Sequence, residues 1–278
     1  MYKTYLTNGK QLSFNKPQVM AIINLTPDSF YDGGKFSSVT DVLKDADVKI
    51  RQGATIIDVG AVSSKPNAKI VSAKDEMVRL LEPLSQLRNE FPNIIISVDT
   101  CLAEVADMAI SLGADIINDI SGGTLDEKMI DLVAKNDIPY IMMHMQGTPQ
   151  TMQENPTYKN VVTEINSFFE AAINTCKSKC FDKLILDVGF GFGKTLEHNY
   201  QLLKHLNEFK SFELPLLVGL SRKSMVNKII HTNPNTALNG TTVLNTFALN
   251  NGASILRVHD VKEAKQAIDL WSFYDSVD

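Results

Sequence analysis

The chain has 278 residues, of which 44% are apolar and 21% are charged, and its formal net charge is −5. That length suits one large α/β barrel or two small domains, and the mixed charges exclude a basic nucleic-acid-binding surface. The N-terminal stretch lacks the apolar core of a signal peptide, and no apolar run is long enough to cross a membrane, so we expect a cytoplasmic protein.

An N-terminal β-hairpin is the first predicted element, because Asn8-Gly9 separates two short runs with some apolar alternation. Eight continuous apolar runs of strand length follow, at Val19–Leu25, Thr55–Val59, Ile94–Val98, Ile116–Asn118, Tyr140–Met143, Leu184–Leu186, Leu216–Leu220 and Ile255–Val258. Continuous apolarity is typical of parallel strands that are buried on both faces.

Segments with helical periodicity lie between these runs. They include Asp75–Glu90, Leu102–Leu112, Val161–Cys180, Glu197–Asn207, Ala237–Asn250 and Lys262–Trp271. Gly53 and Gly113 each follow such a segment, where a helix would end in the left-handed conformation. The alternation has no Pro/Gly/Ser-rich linker, so it predicts one (β/α)8 TIM barrel over residues 1–278 rather than a doubly wound open sheet.

Polar residues follow every predicted strand. They are Asn24, Asp58, Asp99, Asn118 with Asp119, His144, Asp187, Ser221 with Arg222 and Lys223, and Arg257 with His259 and Asp260. One such residue is explained well enough as a helix cap or a buried structural group. A polar residue after all eight strands instead predicts an active site on the carboxyl-terminal rim of the barrel.

The predicted rim has two chemical parts. Lys223, Arg257 and His259 come from the last two strands, the usual anion-binding side of a barrel. Carboxylates and an amide follow other strands, and such groups suit the N–H edge of a flat, nitrogen-rich ring. The residues alone therefore predict an enzyme whose ligand has a polar heterocycle and an anionic tail.

Three further patterns have simpler explanations. Gly189–Thr195 resembles a phosphate-binding loop, but Val188 stands where a Walker motif needs glycine, so its glycines indicate a tight turn beside a ligand. Met142–Met145 favours an apolar slot for a flat ligand over a soft-metal site. Cys176 and Cys180 have helical spacing but no completing metal ligands, which favours thiols of a reducing cytosol.

The segment from Asn24 to Gly34 closely resembles the N-[VL]-T-P-D-S-F-x-D-G-G signature of the dihydropteroate synthases. Similar blocks follow in the expected order at Ser97–Thr100, Ile117–Gly123, Met143–Pro149, Gly189–Thr195, Ser221–Ser224 and Arg257–Asp260. The resemblance implies a Mg²⁺-dependent transferase of folate biosynthesis. It would condense 6-hydroxymethyl-7,8-dihydropterin diphosphate with p-aminobenzoate, giving 7,8-dihydropteroate and pyrophosphate. The family is a sulfonamide target and commonly forms homodimers, for which the helix Ala237–Asn250 is a candidate interface.

The resemblance also implies roles for the matching residues. The pterin would be held by Asp99, Asn118, Asp187 and Lys223 and packed by Ile117 and Met143. Asn24 would ligate Mg²⁺ beside the diphosphate, which Arg257 and His259 would bind. The p-aminobenzoate pocket would consist of Ser64, Lys65, Pro66, Phe192 and Ser221. Catalysis would involve Asp99, Asp187, Lys223, Arg257 and His259, under a lid loop that contains Asp28, Phe30 and Asp32.

The second loop, residues 60–68, departs from the expected G-G-E-S-T-R-P-G-A pattern. Val62 replaces an acidic residue, and Lys65 lacks the planar, bidentate head of arginine. Val188 stands where proline is expected after Asp187. The second-loop departures put p-aminobenzoate affinity and sulfonamide susceptibility in question, while Val188 frees the backbone next to a pterin ligand. Two alternatives stay open: a non-catalytic pterin-binding paralogue, and a methyl-tetrahydrofolate methyltransferase with a corrinoid partner, which would not need a diphosphate cluster.

Overall fold

The computed structural model describes residues 3–25, 38–62, 71–148, 150–152 and 154–277. Within these ranges, eight parallel strands close into a barrel in chain order, with helices between them, and an antiparallel hairpin precedes them. This confirms the predicted (β/α)8 barrel and its hairpin and contradicts the open sheet. The predicted site residues that lie outside the described ranges are Asp28, Phe30, Asp32, Ser64, Lys65 and Pro66.

The hairpin consists of β1 (Thr4–Thr7) and β2 (Lys10–Ser13). The barrel strands are β3 (Gln18–Asn24), β4 (Ile56–Gly60), β5 (Ile95–Asp99), β6 (Ile116–Asp119), β7 (Tyr140–Met143), β8 (Leu184–Asp187), β9 (Leu216–Val218) and β10 (Ile255–Val258). The first four helices are α1 (Val39–Arg51), α2 (Ala73–Glu90), α3 (Ala103–Ser111) and α4 (Lys128–Lys135). They are followed by α5 (Val161–Ser178), α6 (Leu196–Lys204), a 3-10 helix (Leu206–Phe212), α7 (Ser224–Ile230), α8 (Leu238–Asn250) and α9 (Val261–Ser276).

Most element boundaries differ from the sequence prediction by no more than one or two residues, and two of the differences have a clear physical reason. Strand β9 ends at Val218 rather than Leu220, because the Leu220 carbonyl accepts from the Lys223 N–H in a turn instead of continuing the ladder. Helix α9 runs to Ser276, beyond the predicted end at Trp271. Its last turn exposes Phe273 and Tyr274 and buries no apolar stripe, so that turn carries no helical periodicity.

The hairpin closes the amino-terminal end of the barrel. Asn8 and Gly9 have φ angles of 47° and 74°, the left-handed pair that a two-residue hairpin turn requires. Tyr5 and Leu12 are cross-strand partners and join the cluster of apolar side chains at the barrel floor. The Tyr5 hydroxyl also donates to the Leu184 carbonyl over 2.6 Å, which ties the hairpin to β8.

The interior of the barrel changes from apolar to polar along the strands. Alternate residues of a strand point to the same face, and the floor is lined by Met20, Ile56, Ile95, Ile116, Ile141, Ile185, Leu217 and Ile255. Two positions further along six of these strands, the same inward face carries Asp58, Ser97, Asn118, Met143, Asp187 and Arg257. Strand register therefore brings the polar residues together at the carboxyl-terminal rim. Among the described helices, none is both long and apolar enough to span a bilayer.

Candidate active site

Arg257 is the centre of a hydrogen-bonded network on the rim. Its Nε donates to Asp58 Oδ2 over 2.6 Å, and its Nη2 donates to Asp99 Oδ2 over 2.9 Å. Asp58 also accepts from Ser97 Oγ over 2.6 Å and from Asn118 Nδ2 over 3.3 Å. The network therefore joins β4, β5, β6 and β10, and it brings the predicted pterin residues Asp99 and Asn118 next to the predicted diphosphate residue Arg257.

Asp58 is a candidate functional residue to which the sequence pattern assigned no role. Its side chain is 0% exposed, while that of Arg257 is 22% exposed, so the carboxylate anchors a cation that reaches the surface of the rim. The signal was present in the register: Asp58 lies two positions after Ile56 and must share its inward face. Asp58 therefore holds the guanidinium of Arg257 from the side nearer the barrel floor.

Asp187 and Lys223 form a second charged part of the rim. Asp187 Oδ1 accepts the Gly189 N–H over 2.8 Å, while Lys223 Nζ donates to the Phe190 carbonyl and lies 4.7 Å from the ring centre of Phe192. Burial raises the pKa of Asp187, and the charge of Lys223 opposes that rise. Burial lowers the pKa of Lys223 to about 8, and Asp187 opposes that fall. The two groups therefore stabilise each other's charged forms.

The surroundings of Asp99 shift its pKa in opposite directions. Burial raises the pKa of Asp99, and the positive charge of Arg257 opposes this rise. Asp58 adds to the rise because two carboxylates share one guanidinium. A ligand that brings N–H donors or positive charge to Asp99 would therefore relieve its repulsion from Asp58.

Ser221 and His259 are bonded to each other. The His259 backbone N–H donates to Ser221 Oγ over 3.2 Å, and that hydroxyl lies 3.0 Å from His259 Nδ1. His259 is exposed on the rim as a residue, but its ring is poorly hydrated. This loss of hydration lowers the pKa of His259 to about 4, and the positive charge of Arg257 contributes to the fall. Arg257 likewise lowers the pKa of Lys223, so this one cation acts on both of the other predicted anion-binding residues.

Four of the polar residues after the strands do not face the barrel. Asp119 accepts from Ser121, Gly123 and the Tyr140 hydroxyl and so shapes the loop after β6. Arg222 and Asp260 form an ion pair with each other, and Arg222 also binds the Pro234 carbonyl. His144 is buried beside Phe168 and Lys194. At these four positions the polar residue has a structural role, as a buried or loop-supporting group, rather than a place in the barrel site.

The prediction that Ile117 packs against the pterin is wrong. Ile117 is fully buried and belongs to the cluster between strands and helices, because it has the opposite parity to Asn118. Met143, in contrast, has the inward parity of Ile141 and lies at the rim. Ile120, half-buried just beyond β6, is the isoleucine that can reach the rim.

A cavity of about 450 Å³ lies beside the rim, between the loop that follows β8 and the start of α7. Gly191, Lys194, Ser224 and Lys228 are among the residues that line it. The predicted pocket residue Ser221 is not among them, since it is buried against His259. Lys194 and Ser224 carried no role in the sequence prediction, although both lie inside motifs that the prediction used.

The residues fit a Mg²⁺ ion only if a substrate brings most of its ligands. Within the described part of the chain, no group of three His, Cys, Asp or Glu side chains could hold a metal ion. Asn24 ends β3 on the inward face and is half-buried, so it can offer one amide oxygen. Mg²⁺ is commonly bound by one or two protein oxygens together with substrate phosphates, which matches this donor set.

Residues 20–259 match the family model described as pterin binding enzyme. The chain belongs to this family. It is 45% identical to the dihydropteroate synthase of Escherichia coli strain K12, over 94% of this chain and 92% of that protein. It is 42% identical to the Haemophilus influenzae dihydropteroate synthase, over 95% of this chain and 96% of that protein.

Solved structures of the same enzyme are also similar. The Yersinia pestis dihydropteroate synthase, in complex with a sulfonamide drug, has a TM-score of 0.93 at 42% identity, covering 99% of this chain and 100% of that one. The Xanthomonas albilineans dihydropteroate synthase, with 4-aminobenzoic acid, has a TM-score of 0.92 at 32% identity, with 100% of both chains covered. The similarity therefore extends over the whole barrel.

Proposed function

We propose that the protein catalyses the dihydropteroate synthase reaction, in which p-aminobenzoate displaces pyrophosphate from 6-hydroxymethyl-7,8-dihydropterin diphosphate. The observation that carries the proposal is Arg257, which joins two carboxylates suited to a heterocycle and acts electrostatically on Lys223 and His259. The relatives named as this enzyme support it at 45% and 42% identity. A corrinoid-dependent methyltransferase would need no such combination of heterocycle and anion groups.

The pterin binds through its polar edge. Asp187 and Asp99 accept its N–H groups, and Asn118 and Lys223 complete the hydrogen bonding in a site where each buried polar atom needs a partner. Met143 packs one face of the ring, and we assign the remaining apolar contact to Ile120 in place of Ile117. Carboxylates beside the ring also favour positive charge on it, which matters in the step that follows.

The reaction breaks the bond between the pterin methylene carbon and the diphosphate oxygen. Both bonding electrons leave with pyrophosphate, and the methylene carbon becomes electron-deficient while the ring shares the charge. Arg257 commits Nε and Nη2 to carboxylates among the described residues, so its Nη1 side is available to the departing diphosphate. His259, with a pKa lowered to about 4, is neutral at pH 7 and donates one N–H. Lys223 adds positive charge, and such contacts stabilise the transition state more than the ground state.

The amino nitrogen of p-aminobenzoate then bonds to the methylene carbon and loses one proton to solvent. We place its ring against Phe192 and its carboxylate near Ser224, whose neighbours line the cavity beside the rim. Ser221 is the less suitable hydroxyl because it is already bonded to His259. The roles of Ser64, Lys65 and Pro66 in this pocket stay predictions, as do those of Asp28, Phe30 and Asp32 in the lid.

We also propose that Mg²⁺ accompanies the diphosphate and that Asn24 supplies a protein ligand. When bound, the ion would neutralise charge on the diphosphate oxygens. Chelation with EDTA should then abolish turnover, and added Mg²⁺ should restore it. Turnover that persists in excess chelator would exclude this part of the proposal.

The decisive experiment measures pyrophosphate release and 7,8-dihydropteroate formation from the pterin diphosphate, with and without p-aminobenzoate. Equal amounts of both products, formed only with p-aminobenzoate, are expected. Pterin binding without either product would favour a non-catalytic paralogue, while methyl transfer from methyl-tetrahydrofolate to a corrinoid would favour the methyltransferase. Because a relative binds a sulfonamide drug, a sulfonamide should compete with p-aminobenzoate and not with the pterin diphosphate.

We propose further that the protein acts in the cytoplasm as a homodimer. All three cysteines are free thiols, as a reducing compartment requires. Exposed apolar side chains recur on the last three helices, at Ile229, Ile230, Leu238, Val243, Phe247, Leu270 and Phe273. A patch of this kind fits the self-complementary interface of a two-fold dimer. Light scattering should give twice the monomer mass, and Phe247→Asp should halve it.

A further inference from the structure

Lys194 is a buried cation that the proposed reaction does not use. Lys194 is only 3% exposed. Its Nζ lies 2.9 Å from the Phe192 carbonyl, 3.1 Å from His144 Nδ1 and 3.3 Å from the His144 carbonyl. None of the ion pairs found among the described residues includes it. A charge buried without a carboxylate costs stability, so its presence needs a reason.

The loop from Gly189 to Thr195, which follows β8, is held by side chains at three carbonyls. Lys223 binds the Phe190 carbonyl, Lys194 binds that of Phe192, and the Tyr158 hydroxyl binds that of Gly193 over 2.8 Å. Gly189 and Gly193 have positive φ angles, and a Cβ on either would clash with the carbonyl of His144 or of Gln146. The loop backbone therefore lies directly against the segment after β7.

Lys194 connects the loop to the segment after β7 at the position of Phe192. Its ammonium joins the Phe192 carbonyl to both the carbonyl and the ring of His144, so it sets the distance between the loop and the end of β7. The Phe192 ring itself extends over Lys223 on the rim. A loosened Phe192 backbone would therefore displace this ring from the place where p-aminobenzoate must stack.

We propose that Lys194 is a positioning residue for p-aminobenzoate, which holds the Phe192 wall of its pocket by tying that carbonyl to His144. The proposal rests on the proposed function and on the position of p-aminobenzoate beside Phe192. It assigns Lys194 no contact with either substrate. Loss of its hydrogen bonds should therefore weaken the binding of p-aminobenzoate while leaving pterin binding and the chemical step intact.

The ionisation of the surrounding groups makes this link dependent on pH. Burial lowers the pKa of Lys194 to about 7, with Asp187 opposing the fall and Lys223 adding to it. Burial, and then Lys194, lower the pKa of His144 to about 3, so this ring stays a neutral acceptor. Tyr158 and His198 pack face to edge beside the loop. Below pH 7 Lys194 thus has three N–H donors for its three acceptors, and above pH 7 it has two.

The test compares Lys194→Met with the wild-type enzyme at pH 6 and pH 8.5. Methionine matches the length of lysine without its charge or donors. The KM for p-aminobenzoate should rise about tenfold at pH 6, the equivalent of ~1.4 kcal/mol, and only about twofold at pH 8.5, where wild-type Lys194 has lost a donor. The kcat and the KM for the pterin diphosphate should change less than about twofold. Using the ratio of the two enzymes removes the titration of groups that Lys194 does not influence, such as Asp99.

Two further variants separate this role from a general one. Lys204→Met removes an exposed cation from the last turn of α6, outside the cavity, and should leave the KM for p-aminobenzoate unchanged. Tyr158→Phe releases the next carbonyl of the loop, so it should raise this KM and keep the wild-type pH dependence. The proposal is overturned if Lys194→Met leaves the KM within twofold at pH 6, or if it lowers kcat with the KM unchanged. It is also overturned if Lys194→Met fails to fold while Tyr158→Phe leaves the KM unchanged. An inactive wild-type enzyme would instead refute the proposed function.

Discussion

Replacing Asp58 with asparagine tests the network around Arg257. The substitution keeps the shape of a fully buried side chain but removes its negative charge. Two nitrogen atoms of Arg257 and the hydroxyl of Ser97 contact this carboxylate. At the effective dielectric constant of ~20 that suits protein sites, unit charges 4 Å apart attract by about 4 kcal/mol, and desolvation offsets part of this. A hydrogen bond to a charged group contributes about 1.5–3 kcal/mol net. We therefore expect Asp58→Asn to lower the free energy of unfolding by about 2–3 kcal/mol.

The same variant should impair turnover, because a neutral amide holds Arg257 less strongly than a carboxylate does, so the guanidinium would lose its fixed orientation towards the diphosphate. We expect kcat/KM for the pterin diphosphate to fall by about two orders of magnitude, as is usual when a preorganised donor is lost. Urea unfolding and steady-state kinetics measure the two effects. Asp47→Asn is a matched control, since it breaks an exposed Arg51–Asp47 pair that should contribute at most about 1 kcal/mol. Equal effects of the two variants would refute the anchoring role of Asp58.

Three more predictions follow from single contacts. Ser224→Ala should raise the KM for p-aminobenzoate about fivefold through a lost hydrogen bond, whereas Ser221→Ala should weaken pyrophosphate binding by releasing His259; titration calorimetry with each ligand distinguishes them. The pKa of His144 is lowered in the folded protein to about 3, so unfolding takes up a proton below its ordinary value of 6.5. Its contribution to stability is present above pH 6.5 and lost down to about pH 3, and His144→Phe should remove about 1.4 kcal/mol per pH unit of that slope in urea unfolding at pH 6 and pH 4. Asp115→Asn breaks the buried pairs with Lys10 and Arg88 at the floor and should cost about 3–5 kcal/mol of stability with both KM values unchanged.

The barrel itself could be predicted from the sequence because its signals are local. Each strand is a short apolar run such as Ile116–Asn118, and each is separated from the next by helical periodicity or a glycine stop. The Asn8-Gly9 turn needs only two residues to specify its geometry, and the structure shows the required φ angles. Helix α9 was predicted five residues short because its last turn buries nothing, so there was no pattern to detect.

The polar residues at the strand ends could be located but not oriented in this way. Asn118 and Asp119 are adjacent in the sequence and equally polar, yet one faces Asp58 inside the barrel and the other supports a loop outside it. Only the parity fixed by the floor residue Ile116 distinguishes them. Ile117 was misassigned for the same reason. The role of Lys194 depends on contacts between two loops distant in the chain, and no local pattern reports such contacts.

Arg257 also explains how an acidic protein can bind an anionic substrate without a strongly basic surface. Its charge is compensated by Asp58 and Asp99 while no substrate is present, and His259 is neutral at pH 7. When pterin N–H groups occupy Asp99, that carboxylate shares its charge with the ligand and holds Arg257 less strongly. The cation then becomes more available to the diphosphate of the same substrate. Since Asp99 is assigned to the ring and Arg257 to the tail, the two halves of the substrate should bind cooperatively through one ion pair. Pterin and pyrophosphate added together should therefore each bind more tightly than either does alone.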